Sequence, residues 1–216
     1  MSFYEITARP KVSEPALVVA LEGWIDAGFA ASGAMSHLKA SLDSTLVATF
    51  DTEELLDHRS RRPVMHLVDG VNTGLTWPVI ELRHGHDLDG RDVLLLSGAE
   101  PDMRWRAFIA DVIDLARQLG VRMVVPLGAY PAPVPHTRAG RIATTATSAE
   151  LARRVGMVHG TLEVPAGVHG ALERACADAG ITAKVTGEPG RSIVAAAAVT
   201  LYSVGPIKEL PGIRTN

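Results

Sequence analysis

The chain has 216 residues and a formal net charge of -3, and hydrophobic residues make up 47% of it. This length suits one α/β domain with a buried sheet. The slightly acidic balance gives no reason to expect a nucleic acid or an anionic membrane as a partner, because both select basic surfaces.

The first third of the chain predicts a strand, a helix and a second strand. The continuous apolar run ALVVAL at 16–21 is typical of a strand buried on both faces. The loop GWIDAG at 23–28 follows, and apolar residues then recur at helical spacing over 29–42, with Asp26 as the predicted N-cap. Residues 46–50 predict the next strand.

The middle of the chain predicts a hairpin and another buried strand. Residues 64–68 and 79–82 are expected to pair as antiparallel strands around a loop that contains Asp69-Gly70. Asp89-Gly90 predicts a further turn, and the run VLLL at 93–96 is again typical of a buried parallel strand.

The second half continues the alternation of strands and helices. An amphipathic helix is expected over 105–119, and a strand is expected over 121–127. A proline-rich loop at 128–138 comes next. Shorter elements are predicted at 142–146 (strand), 149–155 and 168–179 (helices). Since no repeat or linker divides the chain, we expect one domain over 1–216, built on a mostly parallel sheet with helices on both faces.

Three predicted strands end in a glycine-containing loop, at Gly23, Gly98 and Gly128. Ligands of parallel α/β sheets bind beyond the carboxyl ends of the strands. If the three strands are neighbours, their loops are therefore expected to border one crevice. The expected binding residues are Trp24, Asp26, Glu100, Asp102, Arg104, Tyr130, His136 and Arg138. This set provides acids, bases and cations, but any loop-rich rim has a similar composition.

The candidates for catalysis within this set are Asp26, Glu100 and His136, and each has a structural alternative. Asp26 is either a general base or a helix cap. Glu100 and Asp102 form either a catalytic pair or two acids placed before a helix, where the helix dipole favours anions. His136 lies in a proline-stiffened loop beside a cation, where it is either functional or bonded to the backbone.

The motifs of the common cofactors are missing from the sequence. Gly23 and Gly28 have phosphate-loop spacing, but Phe29 and Ala30 replace the lysine and hydroxyl residue that phosphates and magnesium require. The chain contains neither GxGxxG nor GxSxG. His84 and His86 alternate along a strand and face the same side, but a metal site needs more ligands. No cofactor or metal is therefore expected.

Cysteine usage and hydropathy predict a cytoplasmic protein. Cys176 is the only cysteine, and its place in a helical pattern predicts a small buried hydrophobe rather than a nucleophile. The first residues show no signal-peptide pattern. The most apolar run, at 193–204, is too short to span a bilayer and is expected in the core or in a subunit contact.

Three motifs, in this order, resemble those of the proteasome assembly chaperone two family, whose archaeal members are also labelled an ATP-grasp superfamily. They are GWIDAG at 23–28, SGAEPDMRW at 97–105 and LGAYPAPVPHTR at 127–138. The resemblance covers about residues 14–165 and implies a three-layer α/β/α sandwich of the phosphorylase/hydrolase-like type. It also implies homo-oligomers and a chaperone role for proteasome subunits.

The carboxyl-terminal part departs from that family pattern. Some archaeal relatives dock on the proteasome through a tail with a penultimate tyrosine, whereas this sequence ends in Arg-Thr-Asn at 214–216. Docking through such a tail is therefore not expected.

Two functions follow from the sequence. The first is a non-enzymatic, homo-oligomeric scaffold that binds proteins, with proteasome α-type subunits as possible partners and the segment 130–136 as the contact surface. The second is an enzyme that acts on a small ligand in the strand-end crevice, as a hydrolase, a nucleoside-phosphorylase-like enzyme or an ATP-dependent ligase.

Overall fold

The computed structural model describes residues 2–129, 145–150, 153, 160–161 and 163–181. These residues form a six-stranded mixed sheet with helices on both faces and a separate two-stranded hairpin. The strands are β1 Tyr4–Ile6, β2 Ala16–Glu22, β3 Thr45–Phe50, β4 Val64–Val68, β5 Val71–Thr76, β6 Ile80–His86, β7 Asp92–Ala99 and β8 Met123–Pro126. The helices are α1 Ala30–Ser41, α2 Thr52–Leu55, α3 Trp105–Gln118 and α4 Val168–Asp178.

The three continuous apolar runs lie side by side, as the sequence predicts. The sheet order is β1-β3-β6-β7-β2-β8, and β2 pairs in parallel with both β7 and β8. Side chains of β2 alternate between the two faces. Leu17, Val19 and Leu21 pack with α3 and α4, whereas Val18 and Ala20 pack with α1. Burial on both faces explains why this strand shows no polar alternation.

The expectation of a mostly parallel sheet is wrong, because three of its five strand pairs are antiparallel. These pairs are β1–β3, β3–β6 and β6–β7. Strand β6 alternates between apolar residues such as Ile80 and Leu82 and polar residues such as Glu81 and Arg83. This half-buried pattern is typical of antiparallel strands, and only the centre of the sheet has the continuous runs of parallel ones.

The hairpin around Asp69-Gly70 exists, but its second strand is β5 and not the predicted segment 79–82. Asp69 and Gly70 both have positive φ angles, of 50° and 81°. A two-residue turn of this kind reverses the chain at once, so the strand resumes at Val71. Residues 80–82 instead belong to β6 in the main sheet.

Several expectations concern segments outside the described residues. The proline-rich segment 130–138 and the apolar run 193–204 lie there, as do most of the predicted elements at 142–146 and 149–155. Within the described ranges, no helix combines the length and hydropathy that crossing a membrane requires.

Candidate functional site

Gly23, Gly98 and Gly128 lie at one end of the sheet, as predicted, although Gly98 belongs to strand β7 and not to a loop after it. Leu21 is in register with Gly98, and Val19 is in register with Pro126, two residues before Gly128. The segment after β8 continues along the loop after β2, because Ala129 accepts a hydrogen bond from the Ala27 N–H and donates one to the Ile25 carbonyl. Residues 23–29, 97–100 and 127–129 therefore form one rim.

Glu100 is the centre of this rim. Its side chain is 6% exposed, and both carboxylate oxygens accept hydrogen bonds from the backbone. Oε2 accepts from the Trp24 N–H at 2.9 Å, and Oε1 accepts from the Val168 N–H at 2.7 Å. Val168 is the first residue of α4, so the carboxylate lies where unpaired N–H groups and the helix dipole favour a negative charge.

The glycines around Glu100 allow the backbone to approach its side chain closely. A Cβ atom on Gly23 would lie 2.1 Å from Glu100 Oε2, and one on Gly167 would lie 3.0 Å from Oε1. A Cβ on Gly128 would lie 2.5 Å from the Ile25 side chain. Gly23 and Gly167 therefore provide close packing around the carboxylate, and Gly128 provides it beside Ile25.

The side chain of Asp26 caps helix α1, although Asp26 itself precedes the first residue of the helix, Ala30. Its Oδ1 accepts hydrogen bonds from the N–H groups of Ala31 at 2.8 Å and Ser32 at 3.3 Å. The intervening residues Gly28 and Phe29 both have positive φ angles, which turn the chain back over the carboxylate. The other oxygen, Oδ2, is buried and has no hydrogen-bond partner among the described residues.

His169, the second residue of α4, is the third polar group of this site, and sequence reasoning missed it. The residue is 6% exposed, and Nε2 accepts a hydrogen bond from the Leu21 N–H at 3.2 Å. The pairing of β2 with β8 ends at Val19, so the histidine replaces a ladder partner. Since Nε2 is an acceptor, the ring proton is on Nδ1. A histidine at a helix start carries no motif that could have identified it.

The electrostatics of the cluster keep His169 neutral. Burial lowers the pKa of His169, and the charges of Glu100 and Asp26 oppose this effect only in part. Its Nδ1 has no hydrogen-bond partner among the described residues. The strand-end cluster of Asp26, Glu100 and His169 thus combines two buried acids, a neutral imidazole and two polar atoms that no described residue pairs.

Two of the predicted site residues point elsewhere. Asp102 Oδ2 accepts from the Asp57 N–H at 2.9 Å, and the Arg61 guanidinium lies 3.4 Å from it. Arg104 pairs with Glu54 at 2.8 Å and lies over the ring of Phe3. Neither side chain shares a contact with Glu100, so the structure gives no support to a Glu100–Asp102 catalytic pair.

Of the four remaining predicted site residues, one lies on the rim and three lie outside the described residues. Trp24 is on the rim and 67% exposed, and Phe29, in the same loop, is 78% exposed. Tyr130, His136 and Arg138 lie outside the described residues. Their segment begins directly after Ala129, which pairs with Asp26.

Cys176 is buried in α4, as the sequence predicts. Burial raises the pKa of its thiol to about 11, and Glu173 adds to this increase. A protonated and inaccessible thiol is a poor nucleophile.

Comparisons with known proteins agree on one family. The model of the PAC2 family matches residues 20–208. A Mycobacterium tuberculosis protein of unknown function, Rv2714, is 40% identical, with a TM-score of 0.77 over 82% of this chain and 64% of its own. The chain thus spans less than two thirds of that relative. No curated protein matches the sequence.

Two further solved structures are described as proteasome-related. The Mycobacterium tuberculosis proteasome-assembly chaperone homologue Rv2125 is 41% identical, with a TM-score of 0.72 over 77% of this chain and 71% of its own. PbaB, an archaeal proteasome activator from Pyrococcus furiosus, is 18% identical, with a TM-score of 0.61 over 82% of this chain and 75% of its own. At that identity PbaB supports the fold alone.

Proposed function

Because the chain belongs to the PAC2 family, we propose that it is a protein-binding scaffold of the proteasome-assembly-chaperone type that forms homo-oligomers in the cytoplasm. We also propose that residues 1–216 form a single domain, a three-layer α/β/α sandwich of the phosphorylase/hydrolase-like type. Apolar clusters on both faces of the sheet support this layering.

The observation that carries the scaffold proposal is the exposed, apolar hairpin β4–β5. It forms its own two-stranded sheet, and an isolated hairpin is marginally stable in water. Val64, Val68 and Val71 share one face and are 58–62% exposed. Met65, Leu67 and Leu75 share the other face and are 45–57% exposed. Apolar groups on both faces of an exposed element indicate an interaction surface.

The composition of the hairpin favours a second copy of this chain as its occupant. Neither β4 nor β5 contains Asp, Glu, Lys or Arg. Monomeric proteins commonly place such charges on edge strands to prevent pairing between molecules. An uncharged apolar surface also complements itself without like-charge repulsion, as a two-fold interface requires.

Light scattering coupled to size-exclusion chromatography tests the oligomer. The wild type is expected to elute as a homo-oligomer at micromolar concentration, and the variant Leu67→Glu is expected to dissociate. Leu88→Glu is the matched control, because Leu88 is 92% exposed in the turn between β6 and β7. A monomeric wild type, or a Leu67→Glu protein with unchanged mass, would contradict the proposal.

Proteasome α-type subunits are the partners that the family membership favours. The contact surface that we propose is the segment 130–136, whose prolines lower the cost of ordering it on binding. Binding to purified α-type subunits is expected to weaken in the Tyr130→Ala, His136→Ala double variant and to persist in the Leu88→Glu control. Equal binding by both variants would mean that the segment 130–136 is not the contact surface.

A second candidate function is an enzyme for a small ligand at the strand-end cluster. Asp26 Oδ2 and His169 Nδ1 favour it, because both are buried without a hydrogen-bond partner among the described residues, and such atoms attract a polar ligand. Assays for nucleoside cleavage, peptide hydrolysis and ATP-dependent ligation test this alternative. Turnover that disappears in a folded His169→Gln protein would establish an enzyme, and the absence of turnover in the wild type would argue for the scaffold.

A further inference from the structure

Three metal-ligating side chains meet on one face of the antiparallel pair β6–β7. His84 and His86 are two residues apart on β6, and Asp92, the first residue of β7, is directly opposite His86. Asp92 Oδ1 lies 2.8 Å from His84 Nε2 and 3.2 Å from His86 Nε2. All three ligand atoms lie within 4.8 Å of one another.

From this geometry we propose that His84, His86 and Asp92 bind a divalent transition-metal ion of the Zn²⁺ type. Two imidazole nitrogens and one carboxylate oxygen form a donor set that Zn²⁺ uses in proteins. The sequence expectation of no metal considered the two histidines with Asp87 and Asp89, which it interpreted as turn formers, and it did not include Asp92. Pairing of β6 with β7 supplies the third ligand, from across a turn.

The environment of Asp92 positions it for this role. Its Oδ2 accepts a hydrogen bond from the Ser13 N–H at 2.8 Å, which leaves Oδ1 directed at the two imidazoles. Hydrogen bonds of this kind orient the carboxylate ligands of metal sites. The two paired strands fix the spacing of the three side chains, so little reorganisation is needed when the ion binds.

The three ligands differ in exposure, and this difference determines where the open coordination position lies. The side chains of His84 and Asp92 are 10% and 14% exposed, whereas that of His86 is 61% exposed. Three protein ligands leave one tetrahedral position of a Zn²⁺ ion free. That position faces the solvent on the His86 side, where water or an external ligand completes the coordination.

The site is independent of the proposed scaffold function. It lies at the start of β7, whereas the strand-end cluster follows the end of that strand at Glu100. The hairpin β4–β5 contributes no ligand to it. Loss of the metal site is therefore expected to leave the oligomeric state unchanged.

Isothermal titration of the chelator-treated full chain, without a histidine tag, tests the site with Zn²⁺ as the probe. One ion per chain is expected in the wild type. The variants His86→Ala and Asp92→Asn are each expected to weaken binding by on the order of 100-fold, since even outer-shell changes cost about 10–100-fold. His37→Ala is the matched control, because His37 is an exposed histidine on α1, away from both the proposed metal site and the hairpin β4–β5.

Substitution with Co²⁺ gives a second measurement that does not depend on affinity alone. The visible absorption of a four-coordinate Co²⁺ complex is expected in the wild type and in His37→Ala, and it is expected to be lost in His86→Ala. His86 is exposed, so circular dichroism is expected to show a native fold for that variant. Absence of Zn²⁺ binding by the wild type, or unchanged affinity in the His86→Ala, Asp92→Asn double variant, would overturn the proposal.

Discussion

The carboxylate of Glu100 accepts a hydrogen bond from the N–H of Val168, so the end of β7 and the start of α4 share one buried charge although 68 residues separate them. Its other oxygen accepts from Trp24, in the loop after β2. One side chain therefore joins a loop, a strand and a helix, and this contact fixes the position of α4 over the rim.

Replacement of Glu100 by glutamine tests this contact. A glutamine keeps the shape but presents an NH₂ group to one of the two N–H donors, which leaves that donor unpaired. We expect Glu100→Gln to lower the free energy of unfolding by about 1–3 kcal/mol. Glu22→Gln is the control, because Glu22 is exposed at the end of β2. Urea denaturation measures both, and equal stability of the two variants would show that the contact contributes little.

Substitutions at Asp26 separate its capping role from any role of its charge. Asp26→Ala removes the acceptor for the first turn of α1 and is expected to cost about 0.5–2 kcal/mol of stability. Asp26→Asn retains an oxygen acceptor, so most of this loss is expected to be restored. Thermal unfolding of the two variants gives the comparison. Equal losses in Asp26→Asn and Asp26→Ala would mean that the charge, which both variants remove, matters more than the cap.

Burial of neutral His169 makes stability depend on pH. Its folded-state pKa lies below the ordinary value of 6.5, so the unfolded chain binds more protons as the pH falls below 6.5. Stability is therefore expected to decrease from pH 7 towards pH 5, by at most about 1.4 kcal/mol per pH unit for this one group. The His169→Gln variant is expected to show a shallower pH dependence.

Denaturation at several pH values measures this difference. His37→Gln is the control, because His37 is exposed on α1, where its side chain shares a hydrogen bond with Ser41. It is expected to leave the slope of the wild type unchanged. Identical slopes for wild type and His169→Gln would mean that His169 is protonated in the folded state as readily as in the unfolded state.

The sequence predicted the centre of the fold because the signals there are local. The runs at 16–21 and 93–96 are apolar without interruption, and this pattern is typical of a strand buried on both faces. The outer strands of the sheet show a weaker pattern, in which apolar and polar residues alternate. Strand direction depends on chain connections, such as the short turn at 87–91 that makes β6 antiparallel to β7, and a one-dimensional pattern does not specify this direction.

The candidate site was predicted only in part, because its contacts join distant segments. Asp26 and Glu100 were identified from their place after buried strands, and both lie on the rim. His169 has its partner Leu21 on another element, and Asp92 meets His84 only once β6 and β7 have paired. Neither relationship leaves a spacing motif in the sequence.

The thiol of Cys176 is expected to be unreactive in the native protein. It is buried in α4, and its pKa of about 11 leaves almost no thiolate at neutral pH. Reaction with a chromogenic disulfide reagent is expected only after denaturant is added, with one thiol released per chain. Rapid labelling without denaturant would show that α4 detaches readily from the sheet.

A pair of glycine substitutions tests how tightly the rim is packed. Gly23→Ala would place a Cβ 2.1 Å from Glu100 Oε2 and 2.7 Å from Glu100 Cβ, so the loop or the carboxylate has to move. Overpacking of this kind costs about 1–3 kcal/mol, and here it also disturbs the hydrogen bond to Trp24. Gly33→Ala is the matched control, because no atom lies within 4 Å of the added Cβ. Gly33 is exposed within α1, where alanine is expected to raise stability by about 0.5–1 kcal/mol. Urea denaturation should therefore move the two midpoints in opposite directions, and a stable Gly23→Ala protein would mean that the rim adapts and that Glu100 is not held in place by its neighbours.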